Sequence, residues 1–169
     1  TKNLRKNILN YYTINGKLYS MPFNSSAPVL YYNKDAFKDA GIDDLPTSPT
    51  YEQVTAAAKK LKEKSGRAKL SILPYGWTFE ELLANQNQTL VNHGNGRKKT
   101  ATKATFDNKA GKNILNWLKT NADAGTLVDY GTGANAGDTE LSAFTANQID
   151  MFINSSDSLG NTKKDAKFN

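Results

Sequence analysis

An α/β fold, with helices packed on a largely parallel sheet, is what this sequence predicts, and two observations predict it. Short apolar runs of strand length recur at Val29-Leu30-Tyr31-Tyr32, Leu70-Ser71-Ile72-Leu73 and Ile149 to Ile153. Between them lie longer segments whose apolar residues follow a helical period and end at glycine or proline. Strands alternating with helices imply an α/β layer with a substantially parallel sheet. The 169 residues suffice for one core that buries roughly 70% of the surface exposed by the unfolded chain.

The elements follow in order. Asn15-Gly16 separates Tyr11-Tyr12-Thr13-Ile14 from Lys17-Leu18-Tyr19-Ser20, the signature of a tight β-hairpin. Pro22 and Pro28 bracket Asn24-Ser25-Ser26, and proline biases the residue before it toward extended backbone, so this polar triplet should lie in a turn with its side chains free. The strand at Val29 follows, then a short helix at Lys34 to Lys38 closed by Gly41. Thr50 with Gln53 reads as a capping box opening a second helix, on which Val54, Ala57, Ala58 and Leu61 mark one apolar face until Ser65-Gly66 stops it. Pro74 ends the next strand. Thr78 with Glu81 repeats the capping pattern, and Phe79, Leu82, Leu83, Leu90 and Val91 suggest a helix ending near Gly94. Asn92 to Thr105 reads as a surface loop. Asp107 or Asn108 starts another helix, with Ile114, Leu115, Trp117 and Leu118 inward and Gly125 as its stop. A small-residue connection at Gly131 to Gly137 leads to a short helix near Asp138 to Asn147, and Asn154 to Ser158 forms the polar exit of the last strand.

Composition removes several function classes. No cysteine is present, which excludes disulfides, thiolate metal sites and cysteine nucleophiles. No apolar run approaches the ~20 residues needed to cross a bilayer. Thr1 to Asn10 carry no apolar signal core, so an exported protein would need its signal upstream. The net charge of +6 is concentrated in one cluster at Lys59, Lys60, Lys62, Lys64, Arg67 and Lys69 and another at Arg97, Lys98, Lys99 and Lys103. A solvated helix face and loop explain both; attraction of an anionic solute or surface is the functional reading. No nucleic-acid motif or run of stacking aromatics accompanies the charge. Nor does the chain hold an H-E-x-x-H, G-x-S-x-G, phosphate-loop or carboxylate-rich metal motif, and lone His93 sits in a polar loop. A non-enzymatic role without cofactor or metal is expected.

From Met21 to Gly41 the chain reads MPFNSSAPVLYYNKDAFKDAG. Here it resembles the extracellular solute-binding proteins of ABC importers, the large sugar-binding family, and most nearly its glycerol-3-phosphate-binding branch, which carries a nearly identical PFNSS-x-PVLYYNKDAF run. The resemblance continues through Pro49-Thr50-Tyr51-Glu52, Tyr75-Gly76-Trp77, Phe106-Asp107-Asn108 and Ala143 to Leu159. It covers most of this chain but only the middle of the family's length. It implies one lobe of a type II periplasmic-binding-protein-like fold, with residues 1–26 as a hairpin and hinge lead-in from the first lobe and residues 27–169 as the major part of the second. It also implies capture of glycerol-3-phosphate, a glycerophosphodiester or a small sugar for delivery to membrane permease subunits. The full-length protein would be a monomer, extracellular, and either lipid-anchored at the cell surface or periplasmic.

The same resemblance carries Ser26 and Ser155 onto positions whose hydroxyls bind the polar end of the ligand, and Trp77 onto a tryptophan that stacks against the small polyol. Asn24 is a further candidate. Each has a plain structural alternative: Asn24, Ser25 and Ser26 suit a turn, Ser155, Ser156 or Ser158 suits a helix cap, and tryptophan is commonly core filler. Tyr31 and Tyr32 point to opposite faces of a strand, so at most one faces a cleft. Three residues beyond Trp77 the glycerol-3-phosphate branch repeats a tryptophan where this chain has Glu80, a carboxylate that would repel phosphate. The competing function is a surface interaction domain whose basic clusters dock to anionic cell-wall polymer or a protein partner; a hydrolase using Asp or Glu pairs is a third.

Overall fold

Alternation of side chains along three short strands divides the protein into two cores, one on each face of a sheet. The structure is a computed structural model and describes residues 4–169. Thr1 to Asn3, the start of the expected hinge lead-in, lie outside the described residues. The sheet comprises β3 (Pro28–Tyr32), β4 (Leu70–Ile72), β5 (Leu127–Val128) and β6 (Met151–Ser155), in the order β3-β6-β4-β5. β4 pairs in parallel with both β5 and β6, while β3 runs antiparallel to β6 at the edge, with Pro28 opposite Ser155 and Tyr32 opposite Met151. The sheet is therefore mixed but mostly parallel. β5 is too short to carry a visible period.

Leu70, Ile72 and Met151 face the larger core, shared with Phe37 of α2 (Lys34–Asp39), Val54, Ala57, Ala58 and Leu61 of α3 (Tyr51–Ser65), Leu82 and Leu83 of α4 (Gly76–Asn85), and Ile114 and Trp117 of α6 (Lys109–Asp123). The intervening residues face the other way. Tyr31 and Phe152 stack at 4.6 Å and meet Ala143 and Phe144 of α7 (Ala136–Thr145) in the smaller core.

Several helix ends follow the sequence signals. The Thr50 hydroxyl accepts from Gln53 N–H while Gln53 reaches back to Thr50 N–H, so both halves of the capping box form. Asn33 and Asn108 cap α2 and α6 through their side-chain oxygens. Gly111, on the first turn of α6, lies so close to the Phe106 carbonyl oxygen that any Cβ would collide with it.

Four sequence expectations are corrected. Thr78 is not a cap: α4 begins at Gly76, two residues after Pro74 with Tyr75 as its N-cap, and Thr78 is buried in the first turn. That helix stops at Asn85 rather than near Gly94, because Gln86, Asn87 and Gln88 fold back onto the carbonyls of Leu83 and Ala84, with Asn87 at φ 55°. Leu115 is exposed, since the stripe of α6 is centred on Ile114 and Trp117. Lys69 also departs from the solvated cluster that precedes it: its ammonium is buried 3.2 Å from Asp150 and donates to the Asn147 carbonyl.

The N-terminal segment stands apart from the main sheet. α1 (Lys6–Tyr11) leads into a separate hairpin, β1 (Thr13–Ile14) and β2 (Lys17–Leu18), whose turn places Asn15 and Gly16 at φ 50° and 76°. The Arg97 guanidinium donates to the carbonyls of Asn10, Tyr11 and Thr13 and lies over the Tyr11 ring. Arg97 thereby ties this segment to the 92–105 loop, which holds the short α5 (Asn92–Asn95).

Lys69→Met leaves the Asp150 carboxylate buried without its partner and should cost about 3–5 kcal/mol in urea unfolding. Lys64→Met, on the exposed side of the same cluster, should change stability by less than about 0.5 kcal/mol. Equal effects would contradict the distinction.

Candidate functional site

The carboxyl ends of the parallel strands and the amino end of antiparallel β3 meet at one edge of the sheet, where loops in α/β folds present polar groups to ligands. The sequence places its candidates around this edge. The segment from Met21 to Ala27 is irregular and largely exposed, and it brings Asn24 and Ser26 to the start of β3. It is pinned to the exit of β6, because Ser156 N–H donates to the Ala27 carbonyl at 2.8 Å and Ala27 N–H donates to Ser156 Oγ at 3.1 Å. Ser26 and Ser155 are thus brought to adjacent strand ends. Ser155 Oγ accepts from Asp157 N–H, capping the 3-10 turn Ser156–Ser158, so the capping role proposed for it is present.

Trp77 lies on the first turn of α4, directly beyond the exit of β4, partly exposed and stacked on Tyr75 with ring centroids 6.0 Å apart. α4 has no side-chain cap, and the N–H groups of Gly76, Trp77 and Thr78 have no acceptor among the described residues. Trp117 is core: it stacks on Tyr51 at 4.6 Å and its indole N–H donates to Thr55. Tyr31 does both jobs that the strand position allows. Its ring is buried in the smaller core, and its hydroxyl donates to the Ser155 carbonyl at 2.8 Å.

Sequence reasoning missed the residue beneath this edge. Glu140 is completely buried on α7, and its two carboxylate oxygens accept from Ser71 Oγ at 2.6 Å and Asn154 Nδ2 at 2.7 Å. Asn154 Oδ1 in turn accepts from Ser155 N–H at 2.7 Å. One carboxylate therefore links α7, β4 and β6 to the candidate serine. The available signal was its place on the apolar stripe Ala136, Glu140, Ala143 and Phe144, a spacing that buries every member. Burial raises the Glu140 carboxyl to about 7 against the opposing pull of its two hydrogen bonds. The hydroxyls of Tyr31, Tyr75 and Tyr130 are raised as well, first by burial and then by the negative charge of Asp157, Glu140 or both.

Three concavities compete for attention, one of them a groove of about 740 Å³ along β3 lined by Pro28, Leu30, Tyr32, Ser48 and Asn85. A polar groove of about 610 Å³ between α3 and α6 has the Tyr51–Trp117 stack as its floor and lies away from the strand exits. An apolar recess of about 400 Å³ extends behind Tyr75, between Leu73, Phe79, Phe106 and Leu118. No group of three His, Asp or Glu side chains that could hold a metal ion occurs among the described residues.

The profile of the bacterial extracellular solute-binding proteins matches residues 1–169. The chain belongs to this family. Among curated relatives it is 33% identical to the sn-glycerol-3-phosphate-binding periplasmic protein UgpB of Pectobacterium atrosepticum over 162 residues, covering 94% of this chain and 36% of that protein. It is 52% identical to UgpB of Brucella abortus over 56 residues, 32% of this chain and 13% of that one. The chain thus spans about a third of the length of the relatives it matches end to end. Among solved structures, the GacH receptor of Streptomyces glaucescens, studied with acarbose, gives a TM-score of 0.77 at 20% identity, covering 98% of this chain and 40% of that one. UgpB from Mycobacterium tuberculosis in complex with glycerophosphocholine gives 0.71 at 19% identity, covering 96% and 39%. These likenesses establish the fold as periplasmic-binding-protein type. No described helix is long and apolar enough to cross a membrane.

Between pH 4.5 and about 7 the folded chain holds a proton on Glu140 that the unfolded chain releases, so stability falls as pH rises through that window. Glu140→Gln should remove the fall. The difference in unfolding free energy between wild type and variant should drop by about 3 kcal/mol from acid to about pH 8. A difference independent of pH would contradict the assignment.

Proposed function

We propose that this chain is most of the second lobe of the solute-binding component of an ABC importer, with residues 1–26 leading in from the first lobe. A glycerol phosphate, glycerophosphodiester or small sugar is captured between the lobes and presented to membrane permease subunits. The work is differential binding of open and closed states, with no bond chemistry. The protein acts outside the cytoplasm, lipid-anchored at the cell surface or in a periplasm.

The observation that carries this reading is the convergence of Ser26, Ser155 and Trp77 on one edge of the sheet. Family membership supports it, as do relatives named for glycerol-3-phosphate binding. In the proposal the Ser26 and Ser155 hydroxyls and Asn24 hold the polar end of the solute, and Trp77, steadied by Tyr75, offers its ring to the C–H face.

One lobe binds weakly. A full-length binder at ~1 μM has about −8.2 kcal/mol to distribute, and half of that corresponds to ~1 mM. Solute titrations followed by amide shifts reach this range. Trp77→Ala should weaken binding about tenfold and leave stability nearly unchanged, whereas Trp117→Ala should cost about 3–5 kcal/mol of stability. If binding instead survives Trp77→Ala and vanishes with salt, the basic surface is the interacting face.

A further inference from the structure

We infer that the 92–105 loop is an interlobe latch: Arg97 grips the backbone carbonyls at the end of α1, holds the first lobe's lead-in against the second lobe, and so acts as a positioning residue for solute retention. The inference rests on the solute-binding reading above and adds how closure is held.

The segment that Arg97 grips contributes nothing to the cores of this lobe. No residue from 4 to 26 is buried. β1 and β2 pair only with each other, and Tyr11, Ile14, Tyr19, Met21 and Phe23 are exposed. A two-stranded hairpin is marginal by itself, so this apolar surface is the face turned to the first lobe. Among the described residues, every hydrogen bond between residues 4–26 and the chain that follows them is made by Arg97.

The chemistry of the contact is specific to arginine. Asn10 and Tyr11 close α1, where carbonyls lack intrahelical donors, and a guanidinium presents several donors in one rigid plane. It donates to both of these carbonyls and to that of Thr13, and its central carbon lies over the Tyr11 ring, 5.1 Å from the centroid. A lysine keeps the charge but cannot span the three acceptors in the same way.

The loop is built to aim that side chain. His93, Gly94, Asn95 and Gly96 are all left-handed, at φ 57°, 64°, 57° and 74°. Two of the four carry side chains, and such backbone persists only where its surroundings over-determine it. Asn92 Oδ1 accepts from the N–H groups of Thr102 and Lys103, and Asn92 N–H donates to the Lys103 carbonyl. Asn95 Oδ1 accepts from Val91 N–H at 3.1 Å, and Asn95 Nδ2 donates to Glu80 of α4 at 3.0 Å. Glu80 lies one turn beyond Trp77, so the loop is anchored beside the solute edge. Engagement of Arg97 draws the first lobe's lead-in toward that edge and thereby favours the closed state.

Two measurements test the latch. The chain has no cysteine of its own, so spin labels can be placed on the double variant Lys17→Cys, Lys64→Cys, in the hairpin and at the end of α3. Pulsed EPR should give one narrow distance. Arg97→Ala should broaden it, Arg97→Lys should restore it in part, and Lys99→Ala, exposed on the same loop, should leave it narrow. In the full-length protein, binding and release of maltose and of glycerol-3-phosphate are followed by stopped-flow tryptophan fluorescence. Arg97→Ala should speed release of whichever solute binds about five- to tenfold while association changes less than about twofold, and Lys99→Ala should alter neither. A distance as narrow in Arg97→Ala as in wild type would overturn the latch. Unchanged release would also overturn it and leave the solute-binding reading intact. Wild-type protein that binds neither solute would overturn the functional reading, and the latch would fall with it.

Discussion

The carboxylate of Glu140 is the constraint on which the strand-exit edge depends. A buried carboxylate is costly unless its oxygens are satisfied, and here each oxygen takes one strong donor, Ser71 from β4 and Asn154 from β6. Those residues stand on the same face of neighbouring parallel strands, so the carboxylate fixes both strands relative to α7. Asn154 then passes the constraint to the Ser155 amide. Gly137, near the start of α7, lies beside Asn154 and Leu73 at the ends of β6 and β4. The edge is thus held by polar groups inside a core whose remaining members, Phe144, Phe152 and Tyr31, are apolar or aromatic.

The opposite end of the sheet is secured differently. Lys69 and Asp150 pair where β4 and β6 begin, Asn33 N–H donates to the Asp150 carbonyl, and Asn33 Nδ2 donates to Asn147 Oδ1. Burial raises the Asp150 carboxyl more than Lys69 lowers it, so the pair depends on its hydrogen bonds as well as on charge. One end of the sheet consumes its charges internally. The other leaves open amides, hydroxyls and a carboxylate facing outward, which is the asymmetry expected of a scaffold end and a binding end.

Where one residue and its near neighbours decide the geometry, the sequence was legible. Thr50 with Gln53, Asn15-Gly16, Asn108 and Gly125 all rest on contacts within a few residues, and the structure agrees with each. The last strand was found, though it runs two residues later than its apolar run suggested, because pairing with β3 extends it to Ser155. Thr78 misled because its spacing to Glu81 fits a capping box equally well inside a helix that Pro74 has already allowed to begin. Glu140 and Lys69 were illegible for the opposite reason: Ser71 lies 69 residues from Glu140 and Asp150 lies 81 from Lys69, and nothing local distinguishes a buried charge from an exposed one. The resemblance to solute-binding proteins supplied Ser26, Ser155 and Trp77, while the structure supplied the edge they share and the carboxylates beside it.

Amide hydrogen exchange of the chain with and without saturating neutral disaccharide tests the central claim, that the strand-exit edge is the solute-facing surface. Exchange should slow at 75–78 and 154–158 while 113–120, along the polar groove between α3 and α6, stays unchanged. Protection confined to 113–120 would contradict the account and move the site to that groove.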